Sequence, residues 1–338
     1  MLRKISLIGS LILLLAIPNV TKAIDSVKPF LGRWGLFLPG GAGWLEVKQM
    51  DGYIDASLLW YGGSVEPVTS VYMQGESLVV TRTRNIVRTT DAAGTATRTH
   101  IVNTLYLFTF FGDQLVGEVI APDKDGSISR MRFTGKKIAD LPVAPDLSKV
   151  VYGKPVKLLN GKDLTGWKLL EEKNVNGWSI VNGELINDPA QKEGQPHIPY
   201  GNLCTVDKFE DFNLKLQVNV PAGSNSGIYL RGIYEIQVLD SYGKGLDPHN
   251  MGALYSRITP SESAEKPAGT WQDLDITLCD RHVTVILNGK TIINNQPVWG
   301  CTGGAITPDE FIPGPLYLQG DHGKVSYRNI EIKPILKK

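Results

Sequence analysis

Apolar residues recur at every second position through much of this chain. Asn213-Leu-Lys-Leu-Gln-Val-Asn-Val220 is the clearest stretch. In a strand, Leu214, Leu216, Val218 and Val220 would line one face and the residues between them the other. The same period marks residues 78–83, 104–110, 114–120, 129–134, 274–278, 283–287 and 325–332. Clusters of Gly, Asn, Asp and Pro separate these runs, and no long stretch carries the 3.6-residue period of an amphipathic helix. With 36 Gly and 20 Pro punctuating short strands, the pattern predicts an all-β chain. Asn182-Gly183 and Asn288-Gly289 predict tight hairpins, as do Asp51-Gly52 and Asp125-Gly126.

Leu141-Pro-Val-Ala-Pro-Asp146 carries two prolines whose spacing disfavours both helix and central strand. Residues 141–154 therefore read as an extended linker between a first domain, 24–140, and a second, 155–338. Phe30-Leu-Gly-Arg-Trp34 opens the first domain. It resembles the Gly-x-Trp start of a lipocalin-like up-and-down barrel, in which the Trp plugs one end. The meander after it fits a small antiparallel barrel-like domain. Such a barrel could hold a small apolar ligand, or be filled and support its neighbour. The small polar stretch 89–97 reads as a hairpin tip. The second domain is long enough for a two-sheet sandwich.

Residues 1–23 read as a secretory signal. Arg3 and Lys4 precede an apolar run over 5–17, and Thr21-Lys22-Ala23 offers a small-residue cleavage site. The run is shorter than the roughly 20 residues that span a bilayer, and Pro18 breaks it off. The expectation is an exported protein, periplasmic or extracellular, with no membrane insertion after cleavage. The full chain has 35 basic and 34 acidic side chains; losing Arg3, Lys4 and Lys22 leaves 32 against 34, a net charge of −2. Dispersed charge near neutrality gives no footprint for nucleic acid. Cys204, Cys279 and Cys301 allow one disulfide pair at most, or three buried thiols.

Candidate chemistry gathers in Asn225-Ser-Gly-Ile-Tyr-Leu-Arg231-Gly-Ile-Tyr-Glu235-Ile-Gln237-Val-Leu-Asp240, two short strands around a Gly turn. Glu235 and Gln237 should share one face, with Tyr234, Ile236 and Val238 on the other; Tyr229 and Arg231 should likewise share a face. A surface carrying a carboxylate, an amide, a phenol and a guanidinium suits a polyhydroxylated ligand. Glu235 sits mid-strand, where an unpaired carboxylate is costly to bury. It reads as a base or metal ligand, or as the ion-pair partner of Arg231.

His322 lies in the turn Gly320-Asp-His-Gly323, placed for proton transfer, with Asp321 to orient it or cap the turn and Gln319 to bond a hydroxyl. Asp240, Asp247 and His249 come after the Glu235 strand and could ring a divalent ion, or serve turn chemistry alone. Asn225 could bond sugar or close a loop. Tyr255 and Trp271 could stack on a sugar ring or pack in the core. No Gly-x-Ser-x-Gly, dinucleotide or P-loop pattern occurs. Where a jelly-roll glucanase would read Glu-x-Asp-x-x-Glu, this chain reads Glu235-Ile-Gln237-Val-Leu-Asp240. An amide in the second position does not support a two-carboxylate retaining mechanism.

Nine short motifs occur in order along the second half of the chain. They are Asn160-Gly-Lys-Asp-Leu-Thr-Gly-Trp167, Trp178-Ser-Ile-Val-Asn-Gly-Glu-Leu185, Phe209-Glu-Asp-Phe212, Asn225-Ser-Gly-Ile-Tyr-Leu-Arg231, Tyr234-Glu-Ile-Gln-Val-Leu-Asp240, Gly252-Ala-Leu-Tyr255, Leu287-Asn-Gly289, Leu318-Gln-Gly-Asp-His-Gly323 and Tyr327-Arg-Asn-Ile330. Together they resemble the 3-keto-disaccharide hydrolase family over about residues 155–334. The resemblance implies a concanavalin-A-like jelly-roll sandwich acting on a 3-keto-sugar or oligosaccharide substrate, with a separate sugar 3-dehydrogenase upstream.

A ketone at C3 acidifies the C2 hydrogen; a base removes it and the enolate expels the C1 alkoxide, with or without later hydration. Glu235 and His322 are then the expected acid/base pair. Asn225, Tyr229, Arg231, Gln237, Tyr255 and Gln319 are the expected substrate contacts, with Arg231 placed to stabilise the enolate or to neutralise Glu235. A divalent metal at Asp240, Asp247 and His249 stays open, and no other cofactor is implied. A non-catalytic carbohydrate-binding module and an ordinary glucanase are the alternatives.

Overall fold

A computed structural model describes residues 26–192 and 194–337. The expected secretory leader, residues 1–23, lies outside the described residues. The described chain is all-β. Nine strands form the first sheet: β1 (Gly32–Leu38), β2 (Gly41–Gln49), β3 (Ile54–Trp60), β4 (Glu66–Pro67), β5 (Ser70–Gln74), β6 (Ser77–Thr90), β7 (Ala96–Phe111), β8 (Gln114–Pro122) and β9 (Ile128–Lys137). Their order is β4-β3-β2-β1-β9-β8-β7-β6-β5, so the last strand returns to the first. The ladder opens between β4 and β5. There the chain crosses the seam itself: Val68 donates to the Ala56 carbonyl and Thr69 to that of Thr81.

This barrel-like sheet is filled. Trp34, Leu36, Leu45, Leu58, Val80, Tyr106, Phe108 and Phe133 are buried in one cluster. The Trp34 indole N–H donates to the Phe30 carbonyl at 2.8 Å, and its ring meets Phe110 edge-on. Trp60 packs edge-to-face on Tyr106 at 4.8 Å and on Phe133 at 5.1 Å. These rings pack the interior as a core. β6 and β7 run well beyond the sequence pattern, to a tip where Asp91 accepts from the Ala93 and Thr95 amides. Residues 84–103 are mostly exposed, so no apolar period marks them, and the arm is carried by its backbone ladder with side-chain bonds such as Arg88 to His100 and Thr89 to Thr97.

Residues 151–337 form two further sheets. The larger runs Trp178–Val181, Glu184–Asn187, Val325–Lys337, Phe212–Asn219, Trp271–Cys279, His282–Leu287 and Lys290–Pro297, with Val151–Tyr152 and Val156–Lys157 on the long last strand. The smaller runs Trp167–Leu169, Leu203–Thr205, Tyr317–Leu318, Asn225–Leu230 and Tyr234–Leu239. Leu214, Leu216 and Val218 from one sheet meet Ile228, Leu230, Ile236 and Val238 from the other in a single core. Each such side chain contributes about 1.5–3 kcal/mol on burial.

Asn182 and Gly183 have φ of 52° and 82°, and Asn288 and Gly289 have 51° and 84°, the left-handed pairs that two-residue hairpins require. Ala42, Trp44 and Leu59 of the barrel join the sandwich core, which is why β2 is buried on both faces. Cys204, Cys279 and Cys301 are buried free thiols.

Candidate active site

The smaller sheet turns one face to the core and carries polar chemistry on the other. Register pairs Ile228 with Ile236 and Leu230 with Tyr234 on the core side, and Tyr229 with Glu235 and Gly227 with Gln237 on the outer side. Tyr317 pairs with both Tyr229 and Cys204. One transverse row of the outer face therefore reads Cys204, Tyr317, Tyr229, Glu235. Tyr255 extends it, because its N–H donates to the Glu235 carbonyl at 3.0 Å and neighbouring Leu254 pairs with core-facing Ile236.

Glu235 is 4% exposed. Its carboxyl lies over Gly227, where a Cβ would come within 2.3 Å of Oε1. The glycine leaves the space that the carboxyl fills. Glu235 Oε2 is 2.8 Å from the Tyr229 hydroxyl, which is also 2.7 Å from the Gly303 carbonyl oxygen. Two such contacts need two hydrogens. The phenol brings one and the carbonyl none, so the second belongs to the carboxyl. The protonated form thus satisfies the chain from Glu235 through Tyr229 to Gly303. Burial, partly opposed by the Tyr229 hydroxyl, pushes the Glu235 pKa up to about 8. Burial also holds the Tyr229 phenol well above its ordinary range, with Glu235 adding to the effect.

Toward the far end of the same face, Gln319 donates its N–H to the Gly227 carbonyl at 3.0 Å. Gln237 turns its side-chain oxygen back onto the Val238 amide. Asn225 Oδ1 is buried with no hydrogen-bond partner, a state that a ligand donor would relieve. His322 is exposed on the next turn. The turn is held by Asn187, whose amide donates to the Gly320 and Gly323 carbonyls at 2.7 and 3.1 Å. Asp321 accepts the Tyr200 amide and pairs with His197 at 3.4 Å. A Cβ on Gly323 would come within 2.9 Å of Asn225 N. At about 3.3 Å per residue, Asn225 lies about 7 Å along its strand from Gly227, over which the Glu235 carboxyl sits. His322 and Glu235 thus flank one stretch of face without a direct hydrogen bond. Although His322 is exposed to solvent, the packed turn around it desolvates the ring and lowers its pKa, against the pull of Asp321.

Several expected members sit elsewhere. Arg231 does not pair with Glu235 or share the Tyr229 face, because the strand ends at Leu230 and Arg231 takes φ 58° in the turn. Its Nη2 donates to the Glu310 and Ile312 carbonyls at 2.7 and 2.6 Å. That places it in a buried network where Glu310 accepts from Tyr234 at 2.6 Å and from the Gly300 amide at 2.7 Å. Asp240, Asp247 and His249 do not converge. Asp240 accepts the Gly223 amide, while His249 bonds Asp247 at 2.6 Å and Ser64 of the barrel at 2.8 Å. Among the described residues no cluster of three or more His, Cys, Asp or Glu is arranged to hold a metal ion. Trp271 belongs to the larger sheet, under the Arg328 guanidinium.

Other residues enter without warning from the sequence pattern. Thr302 Oγ1 accepts the Glu235 amide at 2.9 Å and donates to the Ile233 carbonyl at 3.1 Å, laying Thr302–Gly303–Gly304 along the Glu235 strand. The barrel loop 61–65 closes the same flank. Gly304 donates to the Tyr61 carbonyl at 2.9 Å, and Val65 donates to Ser256 Oγ at 3.1 Å. Adjacent glycines in Cys301-Thr-Gly-Gly304 and Tyr61-Gly-Gly-Ser64 were the available signal, since close backbone approach selects glycine.

Comparison with known proteins matches residues 154–333 to the 3-keto-alpha-glucoside-1,2-lyase-like domain. Two solved structures from Parabacteroides distasonis, both provisionally assigned as glycosyl hydrolases, are similar to this chain. One is 28% identical, covering 58% of this chain and 93% of its own at a TM-score of 0.44. The other is 22% identical, covering 53% and 93% at a TM-score of 0.42. A carbohydrate-binding module from Bacillus subtilis is 10% identical over 49% of this chain and 94% of its own, at a TM-score of 0.33. No curated protein matches the chain. The matched domain holds the whole row from Cys204 to Tyr255, and with more than half its length inside that domain the chain belongs to the 3-keto-α-glucoside 1,2-lyase-like family.

Proposed function

We propose that the sandwich cleaves the glycosidic bond of 3-keto-glycosides by elimination, with Glu235 as general acid and His322 as general base. The observation that carries this reading is the buried Glu235 carboxyl, bonded to the Tyr229 hydroxyl, on the polar outer face of the smaller sheet. Its pKa of about 8 keeps a transferable proton at neutral pH, while the lowered pKa of His322 keeps that imidazole neutral and able to accept one. Opposite shifts of this kind divide acid from base.

In the reaction, His322 removes the C2 proton and the C2–H electrons form the enolate conjugated with the C3 oxygen. Collapse of that enolate breaks the C1–O bond, and Glu235 protonates the departing oxygen. The products are an enone sugar and an alcohol. Water adding across the enone makes the net outcome hydrolysis. Asn225, Gln237 and Gln319 lie on the His322 side of Glu235 and Tyr255 on its other side, and these four serve as hydroxyl contacts. Arg231, committed to two carbonyls, is not assigned to the enolate. The ketone must be made first by an enzyme that oxidises C3 of the glycoside.

Release of the aglycone from a 3-keto-aryl glucoside, lost in Glu235→Gln with ligand binding retained, tests the reading. A non-catalytic binding module would bind the sugar and release nothing from either form.

A further inference from the structure

The barrel domain touches the sandwich at the point where the proton of Glu235 is decided. Gly303, whose carbonyl takes the Tyr229 hydroxyl, is backed by the barrel loop so closely that a Cβ there would lie 2.2 Å from the Gly63 carbonyl oxygen. The loop is shaped for this approach: Tyr61 and Gly63 have φ of 61° and 74°. It is also pinned on both sides. Tyr61 O accepts from Gly304. At the other end Ser64 bonds His249, itself held by Asp247, and Val65 bonds Ser256.

We propose that the barrel domain positions the acid. Its loop 61–65 presses the Gly303 carbonyl onto Tyr229, commits the single phenolic proton there, and leaves the Glu235 carboxyl as the donor in the chain. When Glu235 ionises, the Tyr229 proton must turn to the carboxylate, and the Gly303 carbonyl is left buried without that donor, which is unfavourable. Holding Gly303 in place therefore resists ionisation. The titratable groups facing Glu235 are the phenols of Tyr229 and Tyr317, from the neighbouring strand and the next, and the Tyr327 phenol of the larger sheet lies beneath the sheet in the core, bonded to Ser226. Burial raises all three, so they stay neutral while Glu235 titrates. Ser64 and Gly303 are positioning residues, acting on the substrate only through Tyr229 and Glu235.

The proposal rests on Glu235 as the acid, but its test reads the proton without substrate. In the full chain, the ¹³C resonance of the Glu235 carboxyl, identified by its loss in Glu235→Gln, is titrated from about pH 4 to 10. Gly303→Ala forces the carbonyl and the loop apart, and is expected to lower the Glu235 pKa by about one unit or more. Ser64→Ala unpins the loop without crowding it, and is expected to shift the pKa in the same direction by a smaller amount. An unmoved titration in folded Gly303→Ala overturns the proposal. If that variant does not fold, an unmoved titration in Ser64→Ala overturns it. A wild-type enzyme with no activity on 3-keto-glycosides would remove the proposed reaction and leave this titration result standing.

Discussion

The Glu235 carboxyl occupies the space that a side chain at Gly227 would fill, with 2.3 Å between Oε1 and the nearest Cβ position. This contact lays the carboxyl flat on the sheet and keeps it within reach of Tyr229. Gly227→Ala is therefore expected to push the carboxyl outward into solvent. Its pKa should fall toward the ordinary carboxylate value. Aglycone release should drop by about 10²-fold or more, in line with the usual contribution of one general acid. Steady-state kinetics together with a carboxyl titration of the variant check both parts.

The acid and base roles set a pH profile. His322 must be neutral, so activity should rise with pH through its lowered pKa, below the ordinary 6.5. Glu235 must hold its proton, so activity should fall as pH passes about 8. The logarithm of kcat/KM against pH should be bell-shaped, with limbs that belong to the free enzyme. Replacing His322 by Gln should remove the acidic limb along with most of the rate.

Glu235 also links pH to stability. Its folded pKa of about 8 lies above the ordinary value of 4.5. The folded state therefore binds the proton more tightly, and that stabilisation is complete below pH 4.5 and lost as pH rises toward 8. At about 1.4 kcal/mol per unit, the loss amounts to a few kcal/mol. Glu235→Gln carries no such charge, so its advantage in denaturant over wild type should grow between pH 5 and pH 9. Urea melts of both proteins at the two pH values measure it.

How much of this was legible in the sequence depends on the range over which each feature is specified. Alternation alone put Glu235 and Gln237 on one face and Ile236 on the other, because side-chain direction in a strand depends only on position. The same rule misplaced Arg231, since it holds only inside a strand, and the left-handed turn residue φ of 58° sends that side chain toward Glu310. Tyr317, Thr302, Gly303 and the loop 61–65 reach Glu235 through contacts dozens of residues away in sequence, which no local period encodes. The cross-domain bond from Ser64 to His249 spans 185 residues. The pair Asp247 and His249 was visible as potential ligands, but their partner is a serine of another domain.

Arg231 consequently gives a prediction opposite in kind to that for Glu235. With Nη2 held by the Glu310 and Ile312 carbonyls, Arg231→Ala should leave one buried and one part-buried carbonyl short of a donor and cost on the order of 1–3 kcal/mol of stability. Substrate KM, measured below the melting range, should change little.

The most direct measurement is a comparison of matched aryl glucosides, one carrying a C3 ketone and one unoxidised, with hydrogen or deuterium at C2. Aglycone release is expected from the ketone alone, slowed by deuterium at C2 and abolished in Glu235→Gln. Equal release from the unoxidised glucoside, or release insensitive to Glu235, would contradict elimination with Glu235 as the acid.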